Sequence, residues 1–92
     1  MKKEIKNFQI HENGRNQAVL DFYRGVKENP YKNLSRILED IIEKYNWMPE
    51  YYKDSNVVAM EYVRGFFGEL NYMKWMAEEN KLKVNEDILA KI

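Results

Sequence analysis

The sequence contains no cysteine, no threonine, a single histidine and only two prolines. The absence of cysteine excludes disulfide bonds, thiolate nucleophiles and thiolate-bound zinc or iron–sulfur sites. Long apolar runs are also missing: no stretch approaches the roughly 18 consecutive apolar residues that a membrane-spanning helix needs. No signal-peptide core follows the basic residues at the start. We therefore expect a cytoplasmic protein that does not cross a membrane.

Residues for enzyme chemistry are equally scarce. The one histidine, His11, has no second histidine at helical spacing, so we interpret it as a surface side chain rather than a metal ligand. The only serines, Ser35 and Ser55, stand near expected helix starts and lack a nucleophile-elbow motif, which favours a capping role. The four glycines are dispersed and form no phosphate-binding loop. We predict a protein that is not an enzyme and that uses no cofactor and no metal.

The residues that are present are typical of one domain with a modest core. The chain has 92 residues, of which 45% are hydrophobic and 33% charged, as expected for a packed core beneath a charged surface. A chain of this length buries only about 60–65% of its unfolded surface. We therefore expect a single helical domain over residues 1–92.

Two segments show the three- and four-residue spacing of an amphipathic helix. The first predicts a helix over 15–27 that stops before Pro30, because the residue before a proline avoids the α region. The second predicts a helix over 32–45 with a charged outer face. Their apolar residues are Val19, Phe22, Tyr23 and Val26 in the first, and Leu34, Ile37, Leu38, Ile41, Ile42 and Tyr45 in the second.

A longer helix is predicted over 56–80, with Asp54-Ser55 offering an N-terminal cap. Gly65 and Gly68 lie inside it, where each glycine costs about 1 kcal/mol relative to alanine. We attribute them to the close approach of a neighbouring helix or to a bend. Asn85 is expected to cap a final helical turn.

The first ten residues have no clear period, and Asn13-Gly14 is typical of a turn, because both residues tolerate a positive φ. We expect residues 1–10 to form a short strand or an extended arm. Segments 3–10 and 81–84 are the candidates for a minor two-strand addition. The predicted fold class is all-α or mainly α, a small three-helix bundle with one long helix in the C-terminal half.

The lengths of the predicted helices do not match. The helix over 32–45 would measure about 21 Å and the helix over 56–80 about 36 Å, so the first cannot cover the second alone. Either the helix over 15–27 stacks end to end with the helix over 32–45 along the long helix, or a second subunit covers the rest of the long helix. On this ground we predict a homodimer.

Aromatic side chains are the best candidates for partner binding, because Trp and Tyr bury a large area with few rotatable bonds. One group lies in the predicted connection 46–53, where Trp47 and Tyr51 would alternatively cap the open end of the bundle. The other lies beside the apolar seam of the long helix, on a side that is exposed unless a dimer covers it. The candidate residues are Trp47, Tyr51, Tyr52, Tyr72 and Trp75.

The ten residues 61–70, EYVRGFFGEL, are similar to an aromatic–x–Arg–Gly–aromatic helix of short accessory proteins from bacteriophages and mobile elements. Such proteins often act by binding another protein and blocking or redirecting it. The resemblance implies a small accessory or inhibitor protein and names no catalytic group.

We therefore interpret the chain as a non-enzymatic protein–protein interaction module that binds itself and an unidentified partner protein. One alternative is a nucleic-acid-binding accessory protein, because residues 1–32 carry seven basic side chains against four acidic ones. The basic residues that would bind nucleic acid are Lys2, Lys3, Lys6 and Arg15. The zero net charge of the chain disfavours this alternative.

A second alternative is a small-ligand sensor. A pocket between helices or across a dimer would hold a nucleotide or metabolite against Arg24 or Arg64 and a tyrosine. Nothing in the sequence selects the ligand.

Overall fold

The computed structural model describes residues 2–53 and 57–92, which form an all-α bundle. Its helices are α1 (Lys2–Glu28), α2 (Leu34–Lys44), α3 (Met48–Tyr52), α4 (Val57–Glu78) and α5 (Glu86–Lys91). The bundle consists of three longer helices, α1, α2 and α4, with α3 and α5 as short additions.

Helix α1 corrects the prediction for the start of the chain. Residues 2–10, expected as a strand or an arm, are helical, and Asn13-Gly14 lies inside the helix instead of forming a turn. The reason is tertiary: Gly14 is buried where α1 meets α4, and a β-carbon there would overlap the carbonyl oxygen of Tyr62. A packing contact of this kind outweighs a local turn preference. Met1 lies outside the described residues.

The two-strand addition is also wrong, because the described residues contain no strand. Residues 3–10 belong to α1, and residues 81–84 are irregular. The alternating pattern of 81–84 arises because Leu82 and Val84 are half-buried against the bundle while Lys81 and Lys83 are exposed.

Helices α2 and α4 confirm the predicted periodicity to within two residues at each described end. Asn33 caps α2, and its side-chain oxygen accepts a hydrogen bond from the backbone N–H of Ser35 at 2.8 Å. Ser35 is therefore in the first turn, as predicted, but Asn33 is the capping residue. The predicted cap Asp54-Ser55 lies outside the described residues.

Helix α3 was not predicted, since its residues were expected to form an irregular connection. Pro49 stands in its first turn, where a missing N–H leaves no helical hydrogen bond unmade. The helix has only five residues, too few to show a periodic pattern in the sequence.

The helix directions follow from contacts between named residues. His11 pairs with Glu61 at 3.4 Å and Arg15 with Glu69 at 3.1 Å, so α1 and α4 run in the same direction. Glu39 pairs with Lys74 at 3.6 Å, whereas the ring of Tyr45 contacts that of Phe66, so α2 runs opposite to α4.

The core lies where α1, α2 and α4 meet. Its largest fully buried side chains are Phe22, Leu38, Phe66 and Leu70, so each of the three helices contributes. Helix α1 has 27 residues and measures about 40 Å, whereas α4 has 22 residues and measures about 33 Å. Because α1 packs directly against α4 and is the longer helix, the first two helices do not stack end to end, which was one of the two arrangements considered from the sequence.

Candidate functional site

Three aromatic side chains form a contiguous cluster on and beside α3, which we call the aromatic cluster: Trp47, Tyr51 and Tyr52. The ring centroids of Tyr51 and Tyr52 are 4.8 Å apart, those of Trp47 and Tyr51 5.7 Å, and those of Trp47 and Tyr52 6.5 Å. Trp47 is 50% exposed and Tyr51 70% exposed. The cluster therefore presents apolar ring area to solvent, and its phenol and indole groups are of the kind that hydrogen-bond to a partner.

The aromatic cluster is exposed because α3 is short and lies outside the core. Helix α3 contains no buried residue and packs against α4. Tyr52 is half-buried, so it anchors the cluster, whereas Trp47 and Tyr51 extend from it toward solvent. The edge-to-face geometry of Tyr51 against both neighbours fixes the rings relative to one another.

A groove of about 410 Å³ adjoins the aromatic cluster, and we call it the apolar groove. Its walls are the first half of α1, the start of α4, and the side chains of α3 that turn inward. The lining residues are Ile10, Asn13, Met48, Tyr52, Val58, Ala59, Tyr62 and Val63. Because Tyr52 belongs to both features, the groove and the cluster form one continuous surface.

The electrostatics of this surface are weak. Burial raises the pKa of the Tyr62 phenol above its ordinary value, and the negative charge of Asp21 adds to the effect, as does Tyr45. The phenol of Tyr62 therefore stays neutral at physiological pH. Beside the cluster, Lys53 and Glu50 pair with each other at 2.7 Å. A partner would meet mainly apolar and neutral polar groups here.

Tyr72 and Trp75 form a second exposed pair on α4, with ring centroids 6.3 Å apart. Tyr72 is 55% exposed and Trp75 49% exposed. The ammonium of Lys81 lies 5.2 Å from the centre of the Trp75 ring, a cation–π contact that restrains the indole. Among the described ring contacts, none joins this pair to the aromatic cluster.

The basic residues of the nucleic-acid alternative do not form an extended arm. Lys2, Lys3 and Lys6 lie in the first turns of α1, and their side chains fall outside what the structure describes. Arg15 donates to Glu69 at 3.1 Å, so its guanidinium is already engaged by α4.

The residues of the ligand-sensor alternative are also paired with carboxylates. Arg64 donates to Glu61 at 2.6 Å, and this hydrogen bond, with a weaker one from His11, lowers the pKa of Glu61. Arg24 pairs with Asp21 at 3.5 Å.

A polar groove of about 350 Å³ lies beside Arg24, between α1 and α2. It is lined by three cations and three carboxylates, namely Arg24, Lys32, Lys44, Asp21, Glu28 and Asp40. Lys32 donates to Asp40, and this hydrogen bond holds the pKa of Asp40 below its ordinary value. The balance of charge leaves no net attraction for an anionic ligand.

Sequence reasoning named the three residues of the aromatic cluster as partner-binding candidates but did not identify the apolar groove. Met48, Val58 and Tyr62 show no sequence pattern that predicts a groove, because single apolar residues of this kind are typical of a protein core. The groove depends on Ile10 and Asn13 being helical, and the part of α1 that precedes residue 15 was not predicted. In the described part of the chain, no three His, Asp or Glu side chains are placed to hold a metal ion.

The residues of the motif 61–70 serve the bundle itself. Gly65 is buried against the backbone of His11, Phe66 is in the core, and Arg64 pairs with Glu61.

None of the described helices combines the length and apolar character that crossing a membrane requires. Comparison of the chain with known protein families, with curated proteins and with solved structures finds no match.

Proposed function

We propose that the protein is a non-enzymatic interaction module that binds a partner protein through the aromatic cluster and the apolar groove. One observation carries the proposal: Trp47 and Tyr51 are half or more exposed while in ring contact with each other, directly beside an apolar groove. A large exposed apolar patch is unusual on a monomeric protein unless it binds something.

The chemistry of the surface supports a protein as the partner. Trp and Tyr dominate the binding free energy of protein interfaces when they fill pockets on the partner. The nearby charges of Glu50 and Lys53 neutralise each other, so long-range electrostatic attraction contributes little to recognition. The groove offers space for one apolar side chain or helix face of the partner.

The experiment compares the proteins that co-purify with three tagged forms of the chain expressed in source cells. The forms are the wild type, the double variant Trp47→Ala/Tyr51→Ala and the control Tyr31→Ala. Tyr31 is fully exposed at 102% in the turn before α2, so it matches the cluster in chemistry but not in position. Helical circular dichroism must be the same for all three.

We expect one partner to be retained by the wild type and by Tyr31→Ala, and to fall about tenfold or more with the double variant, as for hot-spot residues. Titration of the purified partner by calorimetry would then give the same ranking of affinities. Equal retention of every co-purifying protein by all three forms would contradict the proposal.

Self-association and the accessory-protein role are also part of the proposal. Tyr72 and Trp75, exposed on α4, are the surface that a second copy would cover. The accessory or inhibitor role rests on the resemblance of residues 61–70. For nucleic-acid binding, Arg15 is the one candidate basic residue whose side chain is described, and it is already paired with Glu69.

A further inference from the structure

The chain reverses direction sharply at the end of α4. Asn80 adopts a left-handed conformation with φ of 58°. The N–H of Lys81 donates to the carbonyl of Met76 at 2.8 Å, and that of Asn80 to the carbonyl of Ala77 at 3.1 Å. These two bonds form a Schellman motif, which ends the helix and directs the following residues back toward α1.

Residues 81–92, which we call the strap, then lie across the C-terminal half of α1. The strap has four half-buried apolar side chains that face the core: Leu82, Val84, Leu89 and Ile92. A polar tether joins the strap to α1: the backbone N–H of Asn85 donates to the hydroxyl oxygen of Tyr23 at 3.1 Å. The side chain of Asn85 in turn caps α5.

The strap packs against the core but supplies none of its fully buried side chains. In the described part of the chain, every buried hydrophobic side chain belongs to α1, α2 or α4, and α5 has none. Helix α5 contacts α1 and no other described helix. A groove of about 570 Å³, open to solvent, runs along this contact and is lined by Val84 and Leu89 of the strap and by Val26, Pro30 and Leu34 of the bundle.

We propose that the strap is a conformational device that opens and closes over α1 as one unit, with the Asn85–Tyr23 hydrogen bond as its latch. Opening leaves no buried polar group without a hydrogen-bond partner, because water reaches both the Tyr23 hydroxyl and the Asn85 amide once the strap moves away from α1. Opening breaks the contacts of four half-buried apolar side chains and leaves α1, α2 and α4 packed on one another. Opening uncovers Tyr23 and Val26, which are 7% and 8% exposed when the strap is closed.

Native-state hydrogen exchange of the full chain tests this device. The amides of Asn85 and Leu89 report on the strap, since they donate to Tyr23 and to the carbonyl of Asn85. Amides in the middle of α4 report on the bundle. In the wild type we expect the strap amides to be protected, but less than those of α4 and with little dependence on denaturant.

Two variants separate opening of the strap from unfolding of the bundle. Tyr23→Phe removes the latch and should lower the protection of the strap amides about fivefold, the effect of one ordinary hydrogen bond. Val63→Ala shortens a buried side chain beside Tyr52, at the other end of the bundle. It should lower the protection of α4 amides about tenfold while leaving the strap amides unchanged.

A loss of strap protection in Val63→Ala equal to the loss in α4 would overturn the proposal, because the strap would then open only when the whole bundle unfolds. Strap amides that exchange at the rate of a free peptide in the wild type would also overturn it, because the strap would then have no closed state.

Discussion

Two buried glycines determine how closely α1 and α4 approach. A β-carbon on Gly65 would overlap the carbonyl oxygen of His11 and lie 2.8 Å from its carbonyl carbon. A β-carbon on Gly14 would overlap the carbonyl oxygen of Tyr62 and lie 2.9 Å from the amide nitrogen of Phe66. The two backbones therefore pack against each other directly, without side chains between them. Gly68, three residues after Gly65, meets nothing within 4 Å.

Gly65→Ala and Gly14→Ala should each destabilise the protein by about 2 kcal/mol or more, because an added methyl group must push two helix backbones apart. Gly68→Ala is the matched control: it should stabilise by about 1 kcal/mol, since alanine favours the helix and the space is open. Urea unfolding followed by circular dichroism measures all three. A Gly65→Ala protein as stable as Gly68→Ala would show that α1 and α4 are not in backbone contact.

The raised pKa of Tyr62 makes a prediction for alkaline pH. Burial is its main cause and the charge of Asp21 the next, so Asp21→Asn should reduce the shift without abolishing it. The phenol binds its proton more tightly when folded than when unfolded. Stability is therefore unaffected well below pH 10 and falls as the pH rises past the unfolded value of about 10.

Absorbance at alkaline pH, compared between the wild type and Tyr62→Phe, isolates the titration of this phenol. We expect the difference to titrate above the ordinary tyrosine value of about 10. Titration of Tyr62 at that ordinary value would contradict the burial that raises its pKa.

At the scale of helices, the elements that could be predicted are those whose buried residues recur at helical spacing in the sequence. Helix α2 buries Ile37 and Leu38 on one face and exposes charges on the other, so spacing alone located it. Helix α4 was found in the same way from its seam through Val63, Phe66 and Leu70, which are all buried. Asn85 was correctly predicted as a cap, because its role depends only on neighbouring residues.

The N-terminal half of α1 could not be predicted from the same signals. Asn13-Gly14 resembles a turn locally, and only the presence of α4 against Gly14 explains why the helix continues. The seam of α1 before Val19 is also interrupted, because part of its contact with α4 is made by backbone and glycine rather than by large apolar side chains. Short helix α3 was missed since Pro49 and three aromatic residues favour a loop as much as a first helical turn.

Some residues of the candidate site could be predicted from the sequence, and others could not. The exposure of Trp75 and Tyr72 was predicted from their position beside the seam of α4, and they are 49% and 55% exposed. The aromatic cluster was recognised from residue type alone. The apolar groove beside it could not be recognised, because it is formed by residues from three helices, and neither α3 nor the N-terminal half of α1 was predicted to be helical.

At the scale of the whole molecule, the length mismatch from which the homodimer was predicted is not found between the described helices α1 and α4. A homodimer was predicted because a short helix could not cover a long one, but α1 is longer than α4 and packs directly against it. The hydrophobic side chains buried among the described residues are supplied by α1, α2 and α4 of one chain. Self-association through Tyr72 and Trp75 would therefore join molecules that are already folded.

A dimer of folded molecules stabilises the folded state by mass action, so we expect the thermal unfolding midpoint of the wild type to rise by several degrees over a hundredfold range of protein concentration. The midpoint of Trp75→Ala should stay the same within about 1 °C, because this variant lacks the indole of the proposed contact. Scanning calorimetry of both proteins at both ends of the range makes the measurement. A constant midpoint in the wild type would contradict self-association over that range, and an equal rise in both proteins would place the contact between copies away from Trp75.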